Sequence, residues 1–165
     1  MIDANALATR YLFVCNEKLG WNAVVDADGD LQFEVDRMVT YLQIDGSDPA
    51  YTRMRTGVRI GSYLVEQAGL TWNDPAVVAR LERIATKVSR AMKCTKVAIL
   101  PEQQAVSYSV EMLVASPDCM PDRGHLVGVL PRARRMLSAT MREFSEELTL
   151  LLIESVTDAT KSSDS

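Results

Sequence analysis

Three aspartates at every second position, Asp26, Asp28 and Asp30, are the residues in this 165-residue sequence that most resemble a metal-binding motif. A twelve-residue calcium loop also needs glycine at its sixth position and a carboxylate at its twelfth. Counted from Asp26, those positions hold Leu31 and Arg37. The Asp-Gly pair between two β-prone runs is instead typical of a hairpin turn, which needs positive φ angles. The sequence therefore predicts a β-hairpin here and no metal site.

His125 is the single histidine, and it is therefore the one candidate base for a serine or cysteine nucleophile. It lies at a loop or helix start, close in sequence to Asp122 and Cys119, and the chain has no Gly-x-Ser-x-Gly elbow. The cysteines, which also include Cys15 and Cys94, do not have zinc-ligand spacing. We expect no catalytic residue and no metal, and an enzyme that uses His125 is the third hypothesis.

Phosphate-binding motifs are missing too, since the sequence has neither a P-loop nor a Gly-x-Gly-x-x-Gly run. We therefore expect no cofactor. A basic cluster of Arg132, Arg134 and Arg135 could contact a phosphate or an acidic partner. Arginines at the start of an amphipathic helix more often pair with neighbouring acids, and the sequence leaves both possibilities open.

Composition narrows the class of protein further. A net charge of −4 and a pI of about 5.1 argue against a general nucleic-acid binder, which normally has a basic face. The first residues do not form a positively charged signal peptide, and the apolar run LTLLLIESV is too short to cross a bilayer. Three cysteines are an odd number that fits a reducing compartment. We expect a cytoplasmic protein without membrane insertion.

Hydrophobic periodicity predicts the elements that must position any site. Their order is a helix, three or four strands, a helix, two strands and a final helix. The predicted elements are a helix from Asp3 to Gly20, a short β-prone run at 21–26, strands at 31–36, 39–45 and 51–60, a helix at 73–93, strands at 96–100 and 105–116, and a helix from about Pro131 or earlier past Leu148. We expect a single domain over residues 1–157 and a disordered polar tail over 158–165.

The strands alternate apolar and polar residues, so each should have one buried and one wetter face, with helices covering only one side of the sheet. The wetter face is expected to carry Glu34, Val39, Tyr41, Arg53, Arg55, Arg59, Ser107, Ser109, Glu111 and Leu113. Most of the eight methionines should fill the core, with Met38 or Met54 as surface exceptions. Such a mixed face is either solvated or a place where another chain binds.

The run FEVDRMVTYLQIDGSDPAYTRMRTGVRI resembles the YbjN-like family, which is related in fold to the class I chaperones of type III secretion. Its most specific piece is the turn at 48–51, and the strand Lys96–Leu100 and the long closing helix continue the resemblance over residues 5–150. The chain departs from the secretion chaperones in its longer segments at 61–73 and 117–129.

The resemblance implies an α+β two-layer fold, with helices on one face of a twisted antiparallel sheet in the order α-βββ-α-ββ-α. It also implies a homodimer without enzymatic activity. The first functional hypothesis is a chaperone or adaptor that holds an extended segment of a protein client. The alternative is a YbjN-type sensory or stress regulator that acts through protein contacts, and neither hypothesis involves nucleic acid. The candidate partner-binding residues are Met38, Val39, Tyr41, Arg53, Met54 and Arg55.

Overall fold

The structure is a computed structural model that describes residues 3–44, 48, 50–60, 71–116 and 119–163. Its elements are α1 (Ala4–Phe13) with a following π-helical turn (Val14–Lys18), β1 (Val24–Val25), β2 (Leu31–Val35), β3 (Met38–Ile44), β4 (Tyr51–Arg59), α2 (Pro75–Ala91), β5 (Thr95–Leu100), a 3₁₀ turn (Pro101–Gln103), β6 (Ala105–Leu113) and α3 (Arg123–Ser163). The strands form one antiparallel sheet in the order β1-β2-β3-β4-β6-β5. The predicted α+β class and element order are confirmed, and the short β-prone run becomes β1.

Tertiary contacts divide the chain into two compact units. The single domain over residues 1–157 stays a prediction. The first unit comprises Met1–Thr56 and Ser109–Leu137, and the second comprises Gly57–Tyr108 and Ser138–Ser165. Strands β4 and β6 and helix α3 contribute residues to both units. Within the described residues, none of the helices is both long and apolar enough to span a membrane.

The first helical segment, which consists of α1 and the π-helical turn after it, begins and ends as its sequence predicts. The Asp3 carboxylate accepts a hydrogen bond from the Asn5 amide at 3.1 Å, which satisfies one of the amides that a helix start leaves without a partner. Leu7 and Tyr11 are fully buried, and Gly20 follows the last turn with a φ of +66°. The π-helical turn between α1 and Gly20 was not predicted.

The segment with the three aspartates forms the predicted hairpin between β1 and β2. The Asp26 amide donates to the Asp30 carbonyl at 2.8 Å, and Gly29 supplies a φ of +85°. The Asp26 carboxylate accepts hydrogen bonds from the backbone amides of Asp28 and Asp30, both at 3.0 Å. This carboxylate therefore stabilises the turn.

The first unit buries one face of its strands. Leu31 lies opposite Leu42, which in turn lies opposite Met54, and all three side chains have no exposed surface. Phe33 stacks on Trp21 with 4.6 Å between ring centroids, which anchors β2 to the chain after α1. We call this buried side of the sheet the core face.

The second unit is organised around α2. Asp74 caps this helix by accepting from the Ala76 amide at 2.8 Å, and Pro75 occupies the first turn, as predicted. The apolar stripe of the helix is buried, and the helix packs against β5. In the same unit, Tyr108 meets Phe144 edge to face at 5.9 Å.

Helix α3 begins earlier than predicted. It starts at Arg123, because the Asp122 carboxylate caps it by accepting from the His125 amide at 2.8 Å, and Pro131 lies inside the helix. The side chains of Leu126 and Leu130 are fully buried. Burial of these leucines stabilises a first part of the helix that its glycines and proline alone would disfavour.

Helix α3 also ends later than predicted, at Ser163, so it includes most of the segment that was expected to be a disordered tail. The sequence from 132 to 163 contains neither glycine nor proline, and so it lacks the residues that usually end a helix. Residues 164 and 165 lie outside the described residues.

Two predicted features fall partly or wholly on residues that the structure does not describe. Residues 61–70 of the connector and residues 45–47 and 49 of the turn before β4 are among them. The described part of that turn centres on Asp48. Its carbonyl accepts from the Tyr51 amide at 3.0 Å and its carboxylate from the Ala50 amide at 3.1 Å.

Candidate interaction site

The second face of the sheet in the first unit consists of side chains that are half-buried or exposed. We call it the open face. The register of β3 and β4 places Tyr41 opposite Arg55 and Gln43 opposite Arg53. The Val114 amide donates a hydrogen bond to the Ala50 carbonyl, which aligns the end of β6 with the start of β4. The open face comprises Gln32, Glu34, Val39, Tyr41, Gln43, Tyr51, Arg53, Arg55, Ser109, Glu111 and Leu113. It matches the wetter face that strand alternation predicts in this part of the sheet.

Arg53 is at the centre of the open face. One of its guanidinium nitrogens donates to the Tyr51 hydroxyl and to Glu111 Oε1, both at 2.9 Å. The hydrogen bond to Tyr51, together with the Glu111 carboxylate, raises the pKa of Arg53, so its charge is secure at any physiological pH. The Arg53 and Glu111 side chains remain 41% and 29% exposed. The cluster is therefore held in place and still accessible.

A second arginine–tyrosine pair lies beside the first. The Arg55 guanidinium carbon is 5.3 Å from the centroid of the Tyr41 ring, within cation–π range. The open face also exposes apolar surface, because Val39 is 39% exposed and Leu113 is 77% exposed. Tyrosine and arginine beside apolar surface are the residue types that contribute most to protein–protein binding.

The six predicted partner-binding residues divide between the two faces of the sheet. Val39, Tyr41, Arg53 and Arg55 share the open face, as expected. Met54 lies on the core face with no exposed surface, so the expectation that it is available to a partner is wrong. The reason is the two-residue period of a strand, which turns Met54 away from Arg53 and Arg55. Met38 is half-buried at the end of the core face.

Sequence reasoning missed two features of this cluster. Tyr51 was not proposed, although it stands two residues before Arg53 and alternation alone puts both on one face. Glu111 was expected on the wetter face but not as a partner of Arg53. That contact depends on β6 lying beside β4, which no local pattern indicates.

The candidate catalytic residues have simpler roles in the structure. Asp122 caps α3, and both His125 and Cys119 are exposed at or before the first turn of this helix. Among the described residues, no group of three or more histidine, cysteine, aspartate or glutamate side chains could hold a metal ion. In the basic cluster on α3, Arg134 pairs with the Asp36 carboxylate, so the acidic-neighbour interpretation holds for this arginine.

Two groups of the first unit whose pKa is strongly raised lie in its core and not on the open face. Burial raises the pKa of Tyr11 and of Cys15 to about 12. The Tyr11 hydroxyl is hydrogen-bonded to that of Thr52. Burial, rather than a charged partner, is the main cause of both shifts, so they indicate packing and not catalysis.

Comparison with known proteins identifies the fold. No protein-family model matches the sequence, and no curated protein matches it either. The crystal structure of YbjN, a candidate transcription regulator from E. coli, superposes on this chain with a TM-score of 0.59. The match covers 89% of this chain and 94% of that chain at 8% sequence identity. The protein therefore has a YbjN-like fold, which confirms the fold that the resemblance implied.

Proposed function

We propose that this protein is a non-enzymatic regulatory protein that acts by binding another protein through the open face. The observation that carries the proposal is the side-by-side arrangement of the Tyr41–Arg55 pair and the Tyr51–Arg53–Glu111 cluster. The shared fold supports a regulatory role, because YbjN is a candidate transcription regulator. The regulatory alternative is thus preferred to the chaperone hypothesis.

Preorganisation is the physical argument for binding at this place. Holding a free arginine side chain at an interface costs conformational entropy, which weakens association. Here Arg53 is already fixed by two hydrogen bonds, and Arg55 already lies over an aromatic ring. The open face therefore offers a partner oriented guanidinium groups, tyrosine rings and apolar surface at a reduced entropic cost.

The charge of the open face favours a protein over nucleic acid. Glu34 and Glu111 accompany the two arginines on this face, and the whole chain carries a net charge of −4. A nucleic-acid surface needs a uniformly basic patch to release counterions from phosphates. Mixed charges beside apolar residues fit the polar and apolar groups of a folded protein instead.

A second candidate is the chaperone function, in which an extended client segment adds to the sheet. Strand β5 supports it, because β5 stands at one end of the strand order. The Val97 amide, however, already donates to Ser89 Oγ of α2 at 2.9 Å. One donor of this edge is therefore engaged, which favours the open face over the β5 edge as the binding place.

The decisive experiment places the photo-crosslinking amino acid p-benzoylphenylalanine at Leu113, which is exposed on the open face. The matched control carries it at Glu102, an exposed position in the 3₁₀ turn. After irradiation in the host cell, we expect one protein adduct from position 113 and none from position 102. Equal labelling at both positions, or an adduct with nucleic acid, contradicts the proposal.

Arg55→Ala then tests the site with the identified partner. We expect it to weaken binding by about tenfold or more, the effect of removing an interface arginine. Lys93→Ala, which removes an exposed cation from the segment after α2, should leave affinity within about twofold. The homodimer stays a prediction. Light scattering gives the molecular mass of Leu113→Asp and of the unaltered chain. A dimer that is lost only in the variant would show that the open face also forms the dimer interface.

A further inference from the structure

The exposed side of α2 forms a shallow groove in the second unit. It is an open depression of about 710 Å³, and its described lining consists of exposed residues of this helix between Ala79 and Ala91. Arg83, Lys87 and Arg90 border it at spacings of four and three residues, which puts them on one side of the helix.

The groove is a local concentration of positive charge on an acidic protein. Four of the residues of α2 are basic and one is acidic, so the helix has a net charge of 4 − 1 = +3. The chain as a whole has a net charge of −4. Short-range attraction at this helix will therefore select a negatively charged partner, while the rest of the protein repels an extended polyanion.

Two of the three cations in the groove are available to such a partner. Lys87 Nζ lies 2.6 and 2.7 Å from the two carboxylate oxygens of Glu147, so its charge is already compensated. Arg83 and Arg90 are exposed, and neither has an ion pair within the described residues. Their planar guanidinium groups favour bidentate binding of carboxylates.

We propose that this groove on α2 binds an acidic peptide segment of a partner protein. Carboxylates of the segment pair with Arg83 and Arg90. Small apolar side chains that flank those carboxylates in the segment contact the groove at Ala79 and Ala91. The groove contains no residue of the open face, so peptide binding here does not depend on the proposed function of the open face.

Nucleic acid fits the groove less well than an acidic peptide. Proteins that bind nucleic acid through its backbone typically neutralise about six to ten phosphates. Two available arginines on one helix supply a small part of that number. Glu82, which also lines the groove, would repel phosphates but can be accommodated by a peptide whose carboxylates are spaced to avoid it.

The test measures fluorescence anisotropy of a fluorescein-labelled peptide of glutamate and alanine, with glutamates at three- and four-residue spacing. We expect saturable binding at low ionic strength that weakens as sodium chloride is added. Arg83→Gln combined with Arg90→Gln should weaken binding by about tenfold. Arg80→Gln, on the same helix but outside the groove, should change affinity by less than about twofold. Circular dichroism checks that every variant stays folded.

A substitution in the opposite direction completes the design. Glu82→Gln removes a carboxylate that lines the groove and has no ion pair within the described residues, and it should tighten peptide binding by about twofold. The proposal would be overturned by a lack of binding of the acidic peptide, by equal weakening from Arg80→Gln, or by tighter binding of a labelled single-stranded oligonucleotide of similar length. Equal binding of a control peptide with lysine in place of glutamate would also overturn it.

Discussion

The guanidinium of Arg53 lies 2.9 Å from the carboxylate of Glu111, a residue 58 positions later in the chain. Both belong to the first unit, where β6 brings Glu111 beside β4. The contact fixes the arginine in the middle of the open face. It therefore acts as a positioning interaction for the proposed binding surface, and its effect on stability should be small.

Glu111→Gln should lower the free energy of unfolding by less than about 1 kcal/mol. Both side chains are partly exposed, and solvent screening reduces the value of such an ion pair. Urea denaturation at neutral pH measures the change. A loss above about 2 kcal/mol would mean that the pair stabilises the fold and does not merely orient Arg53.

Thr40→Val should raise the free energy of unfolding by about 1 kcal/mol. Thr40 has no exposed surface, and its hydroxyl has no hydrogen-bond partner in the part of the chain that the structure describes. Valine has nearly the same shape and removes the buried polar group, which costs free energy when it is unpaired. Thermal unfolding followed by circular dichroism gives the shift.

Thr56→Val is the matched control for this prediction. Thr56 lies opposite Thr40 on the core face and is also buried, but its hydroxyl donates to the Val39 carbonyl at 2.7 Å. Replacing Thr56 removes this hydrogen bond and should lower the free energy of unfolding by about 1 kcal/mol. If both substitutions changed the free energy of unfolding equally, the two hydroxyl groups would not differ in hydrogen bonding as the structure indicates.

Stability should decrease in alkaline solution between about pH 9 and 12. Burial raises the pKa of Cys15 from 9.0 and of Tyr11 from 10.0, each to about 12, and also raises the pKa of Tyr108. The unfolded chain loses these protons first, so it gains stability relative to the folded state as the pH rises. The contribution is complete below about pH 9 and falls by up to about 1.4 kcal/mol per pH unit for each group.

The measurement is the urea midpoint at a series of pH values from neutral to alkaline. Cys15→Ala should move the onset of the decrease from about pH 9 to about pH 10, where the tyrosines begin to titrate in the unfolded chain. An unchanged onset in this variant would show that Cys15 does not contribute.

Arg37→Gly should stabilise the turn between β2 and β3 by about 0.5 to 1 kcal/mol. Asp36 and Arg37 have φ angles of 54° and 63°, a left-handed conformation that costs free energy for any residue with a side chain. Glycine relieves that cost at the second turn position. Arg37→Ala retains the cost and should give no such gain when both variants are compared by urea denaturation.

Local patterns were sufficient for most elements of this fold. The hairpin at Asp26, the caps at Asp3 and Asp74 and the alternation of β2, β3, β4 and β6 depend on neighbouring residues, so they can be read from the sequence. The start of α3 could not be read in this way. Buried leucines stabilise the first turns of α3, although glycines and Pro131 have low helix propensity.

The sequence by itself determined which residues can share a face of a strand, because side chains alternate with a period of two. It therefore identified Val39, Tyr41, Arg53 and Arg55 as residues of one face. The same alternation places Met54 on the opposite face, although Met54 was proposed as a partner-binding residue. Only the tertiary structure decided which strands are neighbours, and with that the contact between Arg53 and Glu111. The reason is physical: alternation is a property of one strand, whereas strand order depends on the packing of the whole sheet.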